Sequence, residues 1–356
     1  MPTMRGKKPI DSGAMKELTN RERLVLESII KKYITTATPV ASSQVANFGY
    51  LRLSPATIRN IMASLEEKGY IHQPHTSAGR VPTTAGYRFY VDRLMKRGRL
   101  TAAERDSIRE ALQRTPGDWE VMLREATRIL AHLSRQLGVI VSPHLEEGIF
   151  HRLDITRLSS ERILLILSIK SGLVKTIMLE LRSSVSDRQL RMVEQILNER
   201  LHGLRLEQIR RDFAAIVRNV PREHSQIIHL FIRNATRLFD FRQVGEVFVS
   251  GTQHILKQPE FLDPRKVTTV VEAVEDRNVI LQILDRSLQQ EKMTIRIGEE
   301  IGEAKMSDCS IIAARYRIGE VAGTLGIIGP TRMNYSHLTS LVDYTARILS
   351  DLMGQN

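Results

Sequence analysis

Thr57, Arg59, Asn60 and Ser64 fall on one side of a short amphipathic stretch, and these side chains at this spacing can read nucleic acid. An Arg guanidinium pairs bidentately with guanine and an Asn carboxamide with adenine, contacts worth about 1–3 kcal/mol of discrimination each. The other side carries Ile58, Ile61, Met62 and Leu65 at the i, i+3, i+4, i+7 spacing of a buried helical stripe. Ser54 suits the N-cap, Pro55 the first helical position and Gly69 the stop, so both ends are encoded locally. A solvated face usually carries Lys and Glu; a small polar one, with Ala56 and Ala63, fits a groove about 12 Å wide. The stretch reads as a DNA-recognition helix, the plain alternative being an exposed face of a protein-binding module.

Charge favours the first reading. The chain has a formal net charge of +12, and residues 1–100 hold 17 Lys and Arg against 7 Asp and Glu, a net +10 that leaves +2 for the other 256 residues. A basic excess confined to one region is the footprint of a polyanion. An anionic membrane surface competes, but no long basic amphipathic helix or lipidation motif supports it. The longest mid-chain apolar run, residues 163–167, is far below the roughly 20 residues of a membrane span. Residues 1–15 are basic without an apolar core, unlike a secretory signal. One cysteine, Cys309, excludes an intrachain disulfide and a cysteine-built zinc site. A cytoplasmic, nucleoid-associated location is expected.

Helical periodicity precedes the recognition stretch: Leu24, Val25, Ile29, Ile30 and Tyr33 share a face behind a cap at Thr19 or Asn20, and Pro39 ends the run. A turn or two of helix follows at residues 41–46, with Ser42 as a candidate cap and Ser43 and Gln44 placed to touch the DNA backbone. After Gly69, residues 70–74 and 81–82 read as a hairpin around Gly79. His75, Thr76, Ser77 and Arg80 on that loop offer donors for phosphates or a narrow minor groove, which makes the loop a wing. Thr83 caps another helix, 84–96, on which Arg88 is a candidate phosphate ligand and Tyr87 is divided between that role and the core.

Two helices come next, 101–114 behind a Thr101–Glu104 capping box and 115–137 stopped by Gly138, expected as linkers of the kind that pair across a dimer. Strand patterns cover 138–141, 150–156, 162–169 and 173–181, read as one antiparallel sheet. Helices cover 187–201, 206–218 and 223–241. Strands return at 246–249, 293–297, 310–316 and 320–328, with helices at 264–273, 277–288 and 335–352. Strands on both sides of a helical block indicate an α+β domain interrupted by an insertion.

Other clusters do less. His72 and His75 lack a nearby Cys or acidic partner and read as a surface pair or a phosphate contact, with no metal site implied. Glu299, Glu300 and Glu303 read as a solvated loop, and no phosphate-cradling loop, zinc signature or nucleophile elbow is present, so no enzyme activity and no cofactor are expected. Gly323, Gly326 and Gly329 fit tight sheet packing or a bend.

Residues His75-Thr76-Ser77-Ala78-Gly79-Arg80-Val81-Pro82-Thr83-Thr84-Ala85-Gly86-Tyr87-Arg88-Phe89-Tyr90-Val91-Asp92 closely resemble the bacterial heat-inducible transcription repressor family, HrcA. Ser54-Pro55-Ala56-Thr57-Ile58-Arg59-Asn60 and Gly326-Ile327-Ile328-Gly329-Pro330-Thr331-Arg332-Met333-Asn334-Tyr335 fit the same family, so the resemblance spans nearly the whole chain. It implies an α+β multidomain chain: an N-terminal winged helix-turn-helix, then a GAF-like α+β domain interrupted by an inserted, mainly helical dimerisation domain. On that plan residues 1–18 are a basic tail and 19–98 the winged helix. Residues 99–184 are linker helices with the first GAF-like part, 185–262 the insertion, and 263–356 the second GAF-like part. It further implies repression of chaperone genes through an inverted-repeat operator, a homodimer, release on heat stress and assistance by the GroE chaperonin. A regulator gated by a small molecule in the GAF-like domain is the alternative, and an enzyme tethered to nucleic acid a more distant third.

Overall fold

The computed structural model describes residues 17–47, 53–76, 78–114, 119–143, 148–172, 174–181, 185–218, 225–239, 246–287 and 292–353. Its first unit is helical with a small hairpin. Helix α1 (Asn20–Thr36) starts in a capping box, Thr19 Oγ1 accepting from Glu22 N–H while the Glu22 carboxylate accepts from Thr19 N–H at 2.8 Å. Helix α2 (Ser42–Ala46) is capped differently from expectation. Ala41 stands at the N-cap, and the Gln44 carboxamide reaches back to accept its N–H at 2.8 Å. Helix α3 (Pro55–Glu67) has Ser54 as its N-cap and Pro55 at N1, and Gly69 follows its C-cap at φ +83°. Strands β1 (Ile71–His72) and β2 (Val81–Pro82) close the hairpin, and Val40 exchanges two backbone hydrogen bonds with Arg80 at its side. A Cβ on Gly79 would stand 2.4 Å from the Val40 carbonyl carbon, so only glycine permits this approach. Helix α4 (Thr84–Phe89), capped by Thr83, runs into a π-helical turn at Tyr90–Leu94.

Helices α5 (Ala102–Gln113) and α6 (Trp119–Ser134) are not free linkers. Their apolar stripes, Ile108, Leu112, Leu123, Ala126 and Leu130, are buried against the C-terminal unit. Helix α6 stops earlier than periodicity implies. Arg135 takes φ +53°, and Leu137 enters strand β3 (Leu137–Val141). Thr115 and Pro116, the expected start of this helix, lie outside the described residues.

The expected single sheet over residues 138–181 is in fact two. Strands β4 (Phe150–Arg157), β5 (Arg162–Ile169) and β6 (Val174–Glu180) form their own antiparallel sheet in the order β4-β5-β6. Helix α7 (Asp187–Leu201) covers the free edge of β4: the Asn198 carboxamide accepts from Leu153 N–H and donates to Leu153 O, and Glu194 accepts from Ile155 N–H. Helices α8 (Leu206–Ile216) and α9 (Ser225–Leu238) complete this unit. Between β3 and its partner β7 (Val247–Ser250) the chain passes through this separately paired sheet and its helices. Periodicity could not reveal this, because strand patterning is the same whichever sheet a strand joins.

After β7 come α10 (Thr252–Ile255), α11 (Pro264–Glu275) and α12 (Arg277–Ser287), then β8 (Met293–Ile297), β9 (Cys309–Ile318), β10 (Val321–Pro330) and α13 (Tyr335–Met353). The second sheet is antiparallel in the order β7-β3-β10-β9-β8. One face buries Ile140, Ile312, Leu325 and Ile327 in the core shared with α6 and α13. The other buries Val139, Ile311, Ala313 and Ile328 with α11 and α12. The glycines of β10 serve close packing: a Cβ would stand 2.4 Å from the Tyr316 ring at Gly323, 2.5 Å from Ile312 O at Gly326 and 2.2 Å from Gln136 Oε1 at Gly329.

Candidate nucleic-acid interface

Helix α3 buries Ile58, Met62 and Leu65 and exposes Ala56, Arg59, Asn60 and Ala63. Arg59 and Asn60 have no hydrogen bond or ion pair among the described residues, so their donors remain available. Thr57 is half-buried, and its hydroxyl lies 2.9 Å from that of Ser54, which also accepts the Thr57 N–H at 3.1 Å. The Ser54 hydroxyl thus caps the helix with the Thr57 hydroxyl against it, beside backbone N–H groups that suit a phosphate. Ser43 and Gln44 are exposed on α2, with Gln44 committed through its oxygen to the Ala41 cap.

Ser64 sits apart from this set. Its hydroxyl donates to Glu22 Oε1 at 2.8 Å, and Lys68 Nζ meets the same oxygen at 2.6 Å. Burial raises the Glu22 carboxyl, but the Lys68 ammonium and the Thr19 and Ser64 donors outweigh it and hold the group down at about 2. Glu22 therefore stays ionised and ties the last turns of α3 to α1.

The wing is tied to the same end of α3. Glu66 accepts from Arg80 Nε at 2.9 Å and from Gln73 N–H at 3.1 Å. The Gln73 carboxamide then donates to Thr76 O at 2.8 Å and Ala78 O at 2.9 Å, shaping the loop from within. His75 and Thr76 stay exposed at the tip. Ser77 lies outside the described residues. Arg80, expected at a phosphate, has its guanidinium on Glu66. Glu22, Glu66 and Gln73 leave no periodic signal in the sequence, their partners lying 42, 14 and 3–5 residues away, and their roles show only in the folded structure.

Arg88 lies elsewhere again. Its guanidinium pairs with Glu300 and Asp92 and donates to Ile295 O on β8, so it binds the C-terminal unit. Glu300, read as a solvated carboxylate, is this arginine's partner, while Glu299 is exposed. Tyr87 is fully buried, with its ring centroid 5.8 Å from that of Tyr335.

A capped helix with exposed Arg and Asn side chains, braced by α1 and a hairpin loop, has the layout of a winged helix-turn-helix. The family comparisons agree. Residues 17–93 match the winged helix-turn-helix transcription repressor, HrcA DNA-binding domain, and residues 120–338 match the HrcA protein C-terminal domain. The chain belongs to the HrcA family. It is similar to the heat-inducible transcription repressor HrcA of Chlorobium chlorochromatii, 41% identical over 95% of this chain and 98% of that one. That of Chlorobium phaeovibrioides is 40% identical over 94% and 97%. Among solved structures, the crystal structure of a hypothetical protein aligns with TM-score 0.63 and 25% identity over 95% of this chain and 99% of that one. All the tip and α3 residues named above lie inside the HrcA DNA-binding match, whereas Arg88 combines that match with a contact to the HrcA C-terminal domain.

Proposed function

We propose that this protein is a heat-inducible transcriptional repressor that binds an inverted-repeat operator of chaperone genes as a homodimer and leaves it on heat stress. Arg59 and Asn60, exposed and without a hydrogen bond or ion pair among the described residues, carry the reading from the capped helix α3. They would contact base edges, with Ser43, Gln44, Ser54, Thr57, His75, Thr76 and Ser77 at phosphates, while Ser64, Arg80 and Arg88 act by holding the unit in shape. Two such heads related by a two-fold axis require an inverted repeat.

The unit built from β4–β6 and α7–α9 is the proposed dimerising insertion. With β4's edge covered by α7, the outer strand β6 keeps Val174 and Met178 half-exposed at 50% each, apolar surface that a second copy would bury. Assistance by the GroE chaperonin is part of the same proposal and rests on the resemblance to the family alone. No described helix is long and apolar enough to cross a membrane, in keeping with a cytoplasmic site of action. Footprinting of the full-length protein on chaperone-gene promoters at two salt concentrations tests the reading. A protected inverted repeat whose occupancy falls steeply with salt supports it, and uniform, sequence-independent protection would refute it.

A further inference from the structure

The winged helix is bolted to the C-terminal unit through α1, α4 and the connector after it. At one bolt, Arg332 donates from Nη1 to Ile34 O at 2.8 Å in the last turn of α1. Its other nitrogens are held by Glu260 at 2.5 and 3.2 Å and by Gln258 at 3.1 Å, and the two charged side chains are only 12% and 19% exposed. The second bolt is the Arg88–Glu300 pair, with Arg88 also reaching Ile295 O. Between them, Tyr87 packs on Tyr335. The connector is laced to α13 by Gly98 N–H to Ser336 O at 3.0 Å, Ser336 Oγ to Lys96 O at 2.6 Å and Ser340 Oγ to Gly98 O at 2.8 Å. Tyr87 and Arg88 from residues 75–92 and Arg332 and Tyr335 from residues 326–335 lie along this seam.

Domains joined by a connector move relative to one another unless an interface restrains them. Bidentate arginine–carboxylate pairs restrain direction as well as distance. We infer that Arg332 and Glu300 are positioning residues that fix each reading head on its C-terminal unit and thereby set the half-site spacing the repressor accepts. This rests on the dimeric operator reading above. With both heads rigid, only one separation and rotational phase of half-sites is engaged at once. With the seam opened, each head swivels on residues 96–100 and tolerates others.

The test uses full-length protein with Glu300→Gln, Arg332→Gln and the conservative Arg332→Lys. Binding is measured to the footprinted operator, to the operator lengthened by about half and one full helical turn (about 5 and 10 bp), and to a duplex with one half-site. The wild type should lose about 100-fold in affinity on the half-turn insertion, the avidity of simultaneous engagement. Glu300→Gln and Arg332→Gln should lose under about tenfold there and keep single-half-site affinity within about twofold, with Arg332→Lys in between. Variants that discriminate spacing as the wild type does would overturn the inference. So would a loss of single-half-site affinity in variants with wild-type circular dichroism, or tighter binding to the native operator, which would make the seam a restraint against binding. Should either Gln variant fail to fold, Ser336→Ala, which removes one hydrogen bond to Lys96, replaces it with the same expected relaxation, and its absence also overturns the inference. A wild type that prefers no inverted repeat refutes the functional reading itself, before the variants are compared.

Discussion

Arg80 Nε lies 2.9 Å from Glu66 Oε2, so the one guanidinium on the wing is joined to the recognition helix. Both side chains are partly exposed, 22% and 35%, and a pair of that kind contributes roughly 1 kcal/mol or less. Its consequence is geometric, because Glu66 also holds Gln73, which shapes the wing tip. Arg80→Gln should weaken operator binding a few-fold while leaving the slope of log affinity against log salt unchanged. A slope reduced by about 1 would instead place Arg80 on a phosphate.

Arg59→Ala and Asn60→Ala should each cost about 1–3 kcal/mol against the operator and relax base preference at one position per half-site. Binding to unrelated duplex DNA should fall far less for Asn60→Ala, which removes no charge. Competition titrations with operator and random duplexes give both ratios, and an unchanged ratio for both variants would remove α3 from the reading role.

The Glu22 carboxyl, held at about 2 against an ordinary 4.5, sets an acid limit for the winged helix. A depressed folded-state value means its stabilisation is fully present above about 4.5 and is lost as pH falls from there toward about 2, on the order of 2–3 kcal/mol in all. Glu22→Gln should lower the melting temperature at pH 7 and make the difference from wild type shrink steadily across that acid window. Parallel melting curves at every pH would show that Glu22 is not the group responsible.

Tyr87 buries its hydroxyl without a hydrogen-bond partner among the described residues. Tyr87→Phe removes that unsatisfied group and keeps the ring against Tyr335, so stability should be unchanged or raised by about 1 kcal/mol. Operator affinity should stay level. A drop in affinity at unchanged stability would return Tyr87 to the DNA surface.

Cys309 is fully buried, and burial, then the neighbouring Asp308 charge, push its thiol up to about 12. The native protein should resist maleimide labelling at pH 8, because the thiolate is scarce and inaccessible. Labelling should appear only with unfolding, which makes this thiol an internal reporter of heat-induced opening. Prompt labelling of native protein at room temperature would contradict the burial.

The ends of several helices were legible in the sequence because their cause is local. The Ser54 cap, Pro55 at N1, the Gly69 stop, a cap at Thr19 or Asn20 and the Thr101 capping box all involve partners within a few residues, and the helix and strand periods follow from what each element must bury. The basic excess of the first 100 residues and the apolar and polar sides of α3 needed no coordinates either. Tertiary structure decided which polar groups were already taken. Ser64, Arg80 and Arg88 have the side chains of DNA ligands, yet their partners are Glu22, Glu66 and Glu300, up to 212 residues away. It also decided that β4–β6 form a separate sheet while β3 pairs with β7 and β10, since a strand's alternation records one buried face and not the neighbour that buries it. Hydrogen bonds between distant residues leave no period in a chain, and the folded molecule alone shows where they close.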